Sequence, residues 1–256
     1  KAERTAARSQ GKELAHPLHE LRGVLASSKV WLREWIGEGS DVLPRHLPTA
    51  PRPSDDELVP DRTTRSIVTA AETLTLEAVR DDLGDCQRCG LCAGRTQIVF
   101  GDGNPDAKIL FVGEGPGEQE DLRGLPFVGR AGELLTQMIE KGMGLSRSEV
   151  YICNIVKCRP PGNRTPLPDE VAACRPFLDA QIQAVKPRVI VTLGRPAASL
   201  LLGEEVAITR ARGTWREYRG IPLMPTLHPA YVLRKYTAEN RRNVWTDLQA
   251  ALTRAR

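Results

Sequence analysis

The chain has 256 residues, 41% hydrophobic and 27% charged, which is ordinary globular composition and suits one domain plus an appendage, or two small domains. A formal net charge of +4 permits nucleic-acid binding without requiring it. No apolar run is long enough to span a membrane, and the opening KAERTAARSQGKELA lacks the apolar stretch of a secretion signal, so a cytoplasmic protein is expected.

Residues 1–75 read as an N-terminal extension. Leu14, Leu18, Leu21, Leu25, Leu32 and Trp35 fall near helical spacing and predict an amphipathic helix starting about Pro17. The following EGSDVLPRHLPTAPRPSDDELVPD is rich in proline and charge and reads as a linker. Residues 76–256 read as a separate domain. Its first element is a short helix in ETLTLEAVRDDLGDC, running into Cys86. KILFVG, VYICNIVKC, RVIVTLG and IPLMPTL are then four hydrophobic runs rich in β-branched residues, and read as strands. AGELLTQMIEKGM, PDEVAACRPFLDAQIQAV and RPAASLLLG lie between them and read as helices. Strands alternating with helices predict an α/β fold with a mainly parallel sheet covered on both faces. In such sheets ligands sit beyond the carboxyl ends of the strands. GEGPGEQED, the Asn154 segment, LGRPAAS and LHPAYVLR each follow a strand, so they are expected to meet in one crevice.

Two groups of residues carry chemistry. Six cysteines are present, and clustered cysteines in a cytosolic chain favour metal or redox chemistry over structural disulfides. Cys86-x2-Cys89 together with Cys158 and Cys174 makes a four-thiolate set, suited to zinc or to an iron–sulfur cluster. Cys92 and Cys153 are left over, and a buried cysteine is often a small hydrophobe. In the second group, GEGPGEQED is glycine-rich but carries four carboxylates and no lysine, so it is neither a Walker loop nor a dinucleotide fingerprint. His228 follows a strand and precedes a stiffening proline. Asn154 sits within the run VYICNIVKC, read as a strand, an odd place for a poor strand former. Phe127 stands between Pro126 and Gly129, on what reads as an exposed loop. An amide, an imidazole, carboxylates and an aromatic plate at one sheet edge suit a flat heterocycle with hydrogen-bonding edges.

GEGPGEQEDLRGLPFVGRAGELL, NIVKCRPPGNRTPLPDEVAAC, LGRPAASLLLG and PTLHPAYVLR resemble the family 4 uracil-DNA glycosylases, the iron–sulfur type, over about residues 75–255. The resemblance implies a three-layer α/β/α sandwich on a four-stranded, mainly parallel sheet. It also implies a [4Fe–4S] cluster on Cys86, Cys89, Cys158 and Cys174. The activity implied is DNA repair, in which uracil is flipped out of DNA and its N-glycosidic bond hydrolysed to leave an abasic site.

Residue by residue, Phe127 resembles the ring that stacks on the flipped uracil. Asn154 resembles the amide that accepts from N3–H and donates to O4, and Gly115 belongs with them to the base-binding set. His228 resembles the imidazole that faces O2, while Glu114 and Glu120 resemble acids that position water or face the cationic sugar. The better-known uracil glycosylases carry an aspartate where this chain has Gly115. CRPPGNRTP holds no histidine, which speaks against covalent trapping of the sugar, and Ala230 stands where the family has a serine. The glycines let backbone approach the nucleotide, and a glycosidic site needs carboxylate where a phosphate site would carry lysine.

Arg210, Arg212, Arg216, Arg219, Arg234, Lys235, Arg241 and Arg242 concentrate positive charge around His228. With Gly194 and Arg195 at a helix start, they are expected to hold DNA phosphates. The expected partner is uracil-containing DNA, single- or double-stranded, bound by a monomer that is nucleoid-associated when it acts on DNA. Two other readings compete: a nucleic-acid-binding module that has lost catalysis, and a redox protein that uses the cluster for electron transfer.

Overall fold

The computed structural model describes residues 74–256. The expected N-terminal helix and linker therefore lie outside the described residues. The first described helix, α1 (Leu76–Leu83), begins where the Thr75 hydroxyl accepts from the Ala78 amide at 3.1 Å, satisfying one of the donors a helix start leaves orphaned.

Six strands make one sheet: β1 (Asp102–Gly103), β2 (Ile109–Gly113), β3 (Tyr151–Asn154), β4 (Val189–Leu193), β5 (Arg216–Tyr218) and β6 (Ile221–Thr226), in the order β1-β3-β2-β4-β6-β5. The four apolar runs form the parallel centre, β3-β2-β4-β6. The expected four-stranded sheet is thus extended by two short antiparallel edges, β1 against β3 and β5 against β6. Every residue of β2, β3 and β4 is buried, as strands covered on both faces require.

The helices are α2 (Glu118–Arg123), α3 (Arg130–Gln137), α4 (Pro168–Val185), α5 (Arg195–Leu202), α6 (Ile208–Ala211), α7 (Pro229–Arg234) and α8 (Ala238–Ala255). A π-helical turn, Met138–Met143, extends α3. On one face of the sheet Leu134 and Leu135 of α3 and Val244 and Leu248 of α8 pack on Phe111, Ile152 and Val191. On the other, Val79 of α1, Phe177 and Leu178 of α4 and Leu201 of α5 pack on Leu110, Cys153 and Ile190. Because side chains alternate along a strand, Cys153 and Asn154 belong to opposite faces. Among the described residues no helix is long and apolar enough to cross a membrane.

The connections set the position of the site. From β2 the chain moves to β3 on one side, whereas from β4 it moves to β6 on the other. The order therefore switches between β2 and β4, and a crevice opens beyond their carboxyl ends.

Candidate functional site

The four loops expected to meet do meet at that end of the sheet. Asn154 is the last residue of β3 and is 2% exposed. Its side-chain Oδ1 is buried and, among the described residues, has no hydrogen-bond partner. Opposite it in the register is Gly113, the last residue of β2. A Cβ on Gly113 would run into both Asn154 Oδ1 and the Phe127 ring, so glycine here is what lets amide and ring come together.

Phe127 is 7% exposed rather than lying on an exposed loop. Its φ is +53°, a conformation that costs a non-glycine residue on the order of 1–2 kcal/mol. Arg147 holds it there, donating to the Phe127 carbonyl at 3.2 Å and also to the Pro126 carbonyl. Two charge-assisted bonds of this kind, about 1.5–3 kcal/mol each, outweigh the strain. Gly132 presses on the same carbonyl and leaves no room for a side chain.

His228 caps α7, its Nδ1 accepting from the Ala230 amide at 3.1 Å. The ring proton therefore sits on Nε2. Its ring centroid lies 5.7 Å from that of Phe127, tilted by 34°. Burial, with a smaller contribution from Arg234, pushes its pKa down to about 4, against the pull of Glu120, so the imidazole is neutral at pH 7. Gly194, φ +90°, lies against His228, where a Cβ would sit 3.0 Å from its Cβ.

Glu120 accepts from three backbone amides: Val128 and Gly129 at 2.8 Å each, and Gly117 at 3.1 Å. Its carboxylate ties the glycine-rich loop to the loop that carries Phe127. Asp121, 2% exposed, accepts from the Thr96 and Gln97 amides and ties the same loop to the cysteine segment. Glu114 is half-buried at the carboxyl end of β2. Gly115 has no space for a side chain, because a Cβ would lie 2.9 Å from Val156 Cγ2.

On the opposite face, Cys86, Cys89, Cys158 and Cys174 line one cavity, together with Cys92, Arg88, Arg95 and Lys157. Arg88 donates to Cys86 Sγ at 3.6 Å and Arg95 to Cys158 Sγ at 3.5 Å. Burial raises the Cys158 thiol to about 11, with Arg95 opposing, so its thiolate form needs a cation alongside. Among the described residues no three His, Cys, Asp or Glu groups converge to hold a metal ion. Four thiols lining one cavity, with guanidinium donors on two of the sulfurs, are a donor set that suits a thiolate-held cluster. Cys153, in β3, lies apart from the cavity lining and packs in the core.

The basic cluster is smaller than the sequence implies. Arg212 forms a two-point pair with the buried Asp247, which also accepts from Thr226 at 2.6 Å. Arg216 pairs with Glu204 at 3.3 Å and Arg219 with Asp179 at 2.9 Å, and Arg241 lies over the Tyr236 ring. Of these, Arg212 is the one withdrawn by its partner, with a side chain 17% exposed, whereas the Arg216 and Arg219 side chains stay 43% and 63% exposed in surface pairs too weak to keep them from phosphate. Arg195 faces Glu205 at 3.6 Å, both exposed. Arg234 and Lys235 end α7 with exposed side chains, six and seven residues from His228.

Arg147, Asp121, Arg88, Arg95 and Lys157 are the site residues that pattern reading missed. Two leave a trace: Asp121 as one of the four carboxylates of GEGPGEQED, and Lys157 as a charge inside the apolar run VYICNIVKC.

A three-layer α/β protein with an unpaired amide acceptor, an aromatic ring and a neutral imidazole beyond its parallel strands is built to take a planar hydrogen-bonding base. Comparison with known proteins agrees. The model of the Uracil DNA glycosylase superfamily matches residues 100–249. A type-4 uracil-DNA glycosylase of Thermotoga maritima is 50% identical over 178 residues, covering 69% of this chain and 92% of that protein. One from Sulfurisphaera tokodaii is 48% identical, covering 62% and 76%. A type-5 uracil-DNA glycosylase of Pyrobaculum aerophilum is 32% identical over 54% of this chain. The chain belongs to the uracil DNA glycosylase superfamily, in its type-4 branch.

Proposed function

We propose that this protein excises uracil from DNA by hydrolysing the N-glycosidic bond of a flipped nucleotide. The observation that carries the reading is the unpaired, buried Oδ1 of Asn154 against the Phe127 ring. A buried acceptor without a donor costs about 1–3 kcal/mol, and uracil N3–H is a donor on a flat ring. The Asn154 amide NH2 then donates to O4. Stacking on Phe127 supplies the remaining contact, as in other enzymes that take a base out of the duplex.

His228 carries its proton on Nε2, where it donates to O2 as negative charge grows on the departing base. A preorganised neutral donor of this kind acts at the developing charge without reorganising. Glu120, held by three amides, keeps the loop closed and adds negative charge near the sugar. Glu114 is the acid with no such commitment, and positions the attacking water. An abasic, alkali-labile strand formed from a uracil-containing oligonucleotide is the expected product; an intact strand after prolonged incubation at excess protein contradicts the reading.

Cys86, Cys89, Cys158 and Cys174 would hold a [4Fe–4S] cluster, which supplies a structural tie between the segment after α1, the end of β3 and α4. The purified protein is expected to be brown and to contain about four iron atoms per chain. Zinc without iron would overturn that assignment. Cys158→Ala is expected to lower stability and solubility more than it changes the chemistry of the protein that remains folded.

Arg234 and Lys235 would meet DNA phosphates. Replacing both by Ala is expected to weaken binding to all DNA alike and to reduce the salt slope by about 2, one per lost contact. An unchanged slope and affinity would take these side chains off the DNA path.

A further inference from the structure

Lys157 is 1% exposed, and among the described residues no other lysine or arginine is as deeply buried. An ammonium persists in an interior only where acceptors and negative charge face it. One acceptor is plain: Nζ donates to the backbone carbonyl of Asn154 at 2.6 Å. The negative charge comes from the other side. Lys157 lines the cavity with Cys86, Cys89, Cys158 and Cys174.

The carbonyl that Lys157 grips belongs to the peptide that aims the base-reading amide. That peptide is held at its other end as well, by Ile155 N–H to the Gly113 carbonyl at 3.0 Å. Only three residues separate Asn154 from Cys158, so the two faces of the sheet exchange force through a very short strap.

We propose that Lys157 is a positioning residue that couples the thiolate cluster to base recognition: its ammonium is held inside by the thiolates' charge and clamps the peptide that directs the Asn154 amide. The proposal rests on the cluster assignment above. Loss of cluster charge would leave the ammonium unpaired, so the clamp and the base pocket would loosen together.

The test uses two variants of the full chain, with iron measured in each and in the wild type. Lys157→Gln keeps a donor for the Asn154 carbonyl but loses the charge; Lys157→Met loses both. Both are expected to retain iron and to show a more negative cluster reduction potential, because a cation has been taken from beside it. Only Lys157→Met is expected to bind free uracil about tenfold or more weakly and to excise uracil from DNA more slowly by a like factor, the worth of one hydrogen bond to a charged group. Its affinity for uracil-free DNA should not change.

An unchanged potential in both variants overturns the link to the cluster. Wild-type excision by Lys157→Met, or equal impairment in the two variants, overturns the clamp. Failure of both to fold with iron shows a plain core residue and overturns the positioning role. Wild-type protein without iron sinks the cluster assignment itself, and that result is in hand before any variant is read.

Discussion

Asn154→Ala is expected to excise uracil on the order of 10³-fold more slowly than the wild type while keeping its iron and its DNA affinity. The size follows from what the amide does: sites that hydrogen-bond a substrate edge discriminate by roughly 10⁴–10⁵, and one preorganised donor alone is worth about 10²–10³. The same substitution is expected to leave thermal stability unharmed. Oδ1 is buried and unpaired among the described residues, so removing it relieves a desolvation cost of about 1–3 kcal/mol, offset by the small cavity left behind. Asn154→Asp gives the complementary result. Cytosine presents an acceptor at N3 and a donor at N4, so a carboxylate accepting from N4–H2 should abolish uracil excision and bring a trace on cytosine. Single-turnover excision from matched oligonucleotides measures both, and a wild-type rate for Asn154→Ala would remove this residue from base reading.

His228→Ala is expected to lose about 10²–10³ in excision rate, the usual worth of one donor at a developing anion. It also removes the cap of α7, costing about 1 kcal/mol of stability. His228→Asn separates the two effects, because asparagine is a good cap but lacks the imidazole. It should regain the stability without regaining the rate. The pH dependence carries the sign of the shift. The histidine pKa is depressed to about 4 in the folded chain, chiefly by burial, against about 6.5 when unfolded. Its neutral form is therefore favoured by folding. Its contribution to stability is complete above about pH 6.5 and fades as pH falls through that value toward 4. Excision should stay on its plateau through pH 6.5 and fail only on approach to pH 4. An acid limb centred near 6.5 in free wild-type enzyme would mean that this imidazole is not the buried neutral donor.

The parallel centre of the sheet was legible because β2, β3, β4 and β6 are continuous apolar runs, the mark of strands buried on both faces. The edges β1, of two residues, and β5, of three, are too short and polar to carry a period. The meeting of the Gly113, Asn154, Gly194 and His228 segments followed from strand ends. The burial of Phe127 did not, because Arg147, which braces its left-handed backbone, is 20 residues away. Charge was the least legible property. Arg212 and Arg234 look alike in the sequence, yet Asp247, 35 residues on, takes the first into the interior. The cysteine set could be read from its spacing, whereas the cations around it depend on how the segment after α1 folds back on β3.

Free-base release from paired uracil and cytosine oligonucleotides, measured under single turnover with iron-loaded wild-type protein, tests the central claim most directly. The site described here predicts that uracil alone is released, one per abasic strand, and that cytosine stays in place. Tight binding of the uracil strand with no free base would make the protein a binding module and contradict the account.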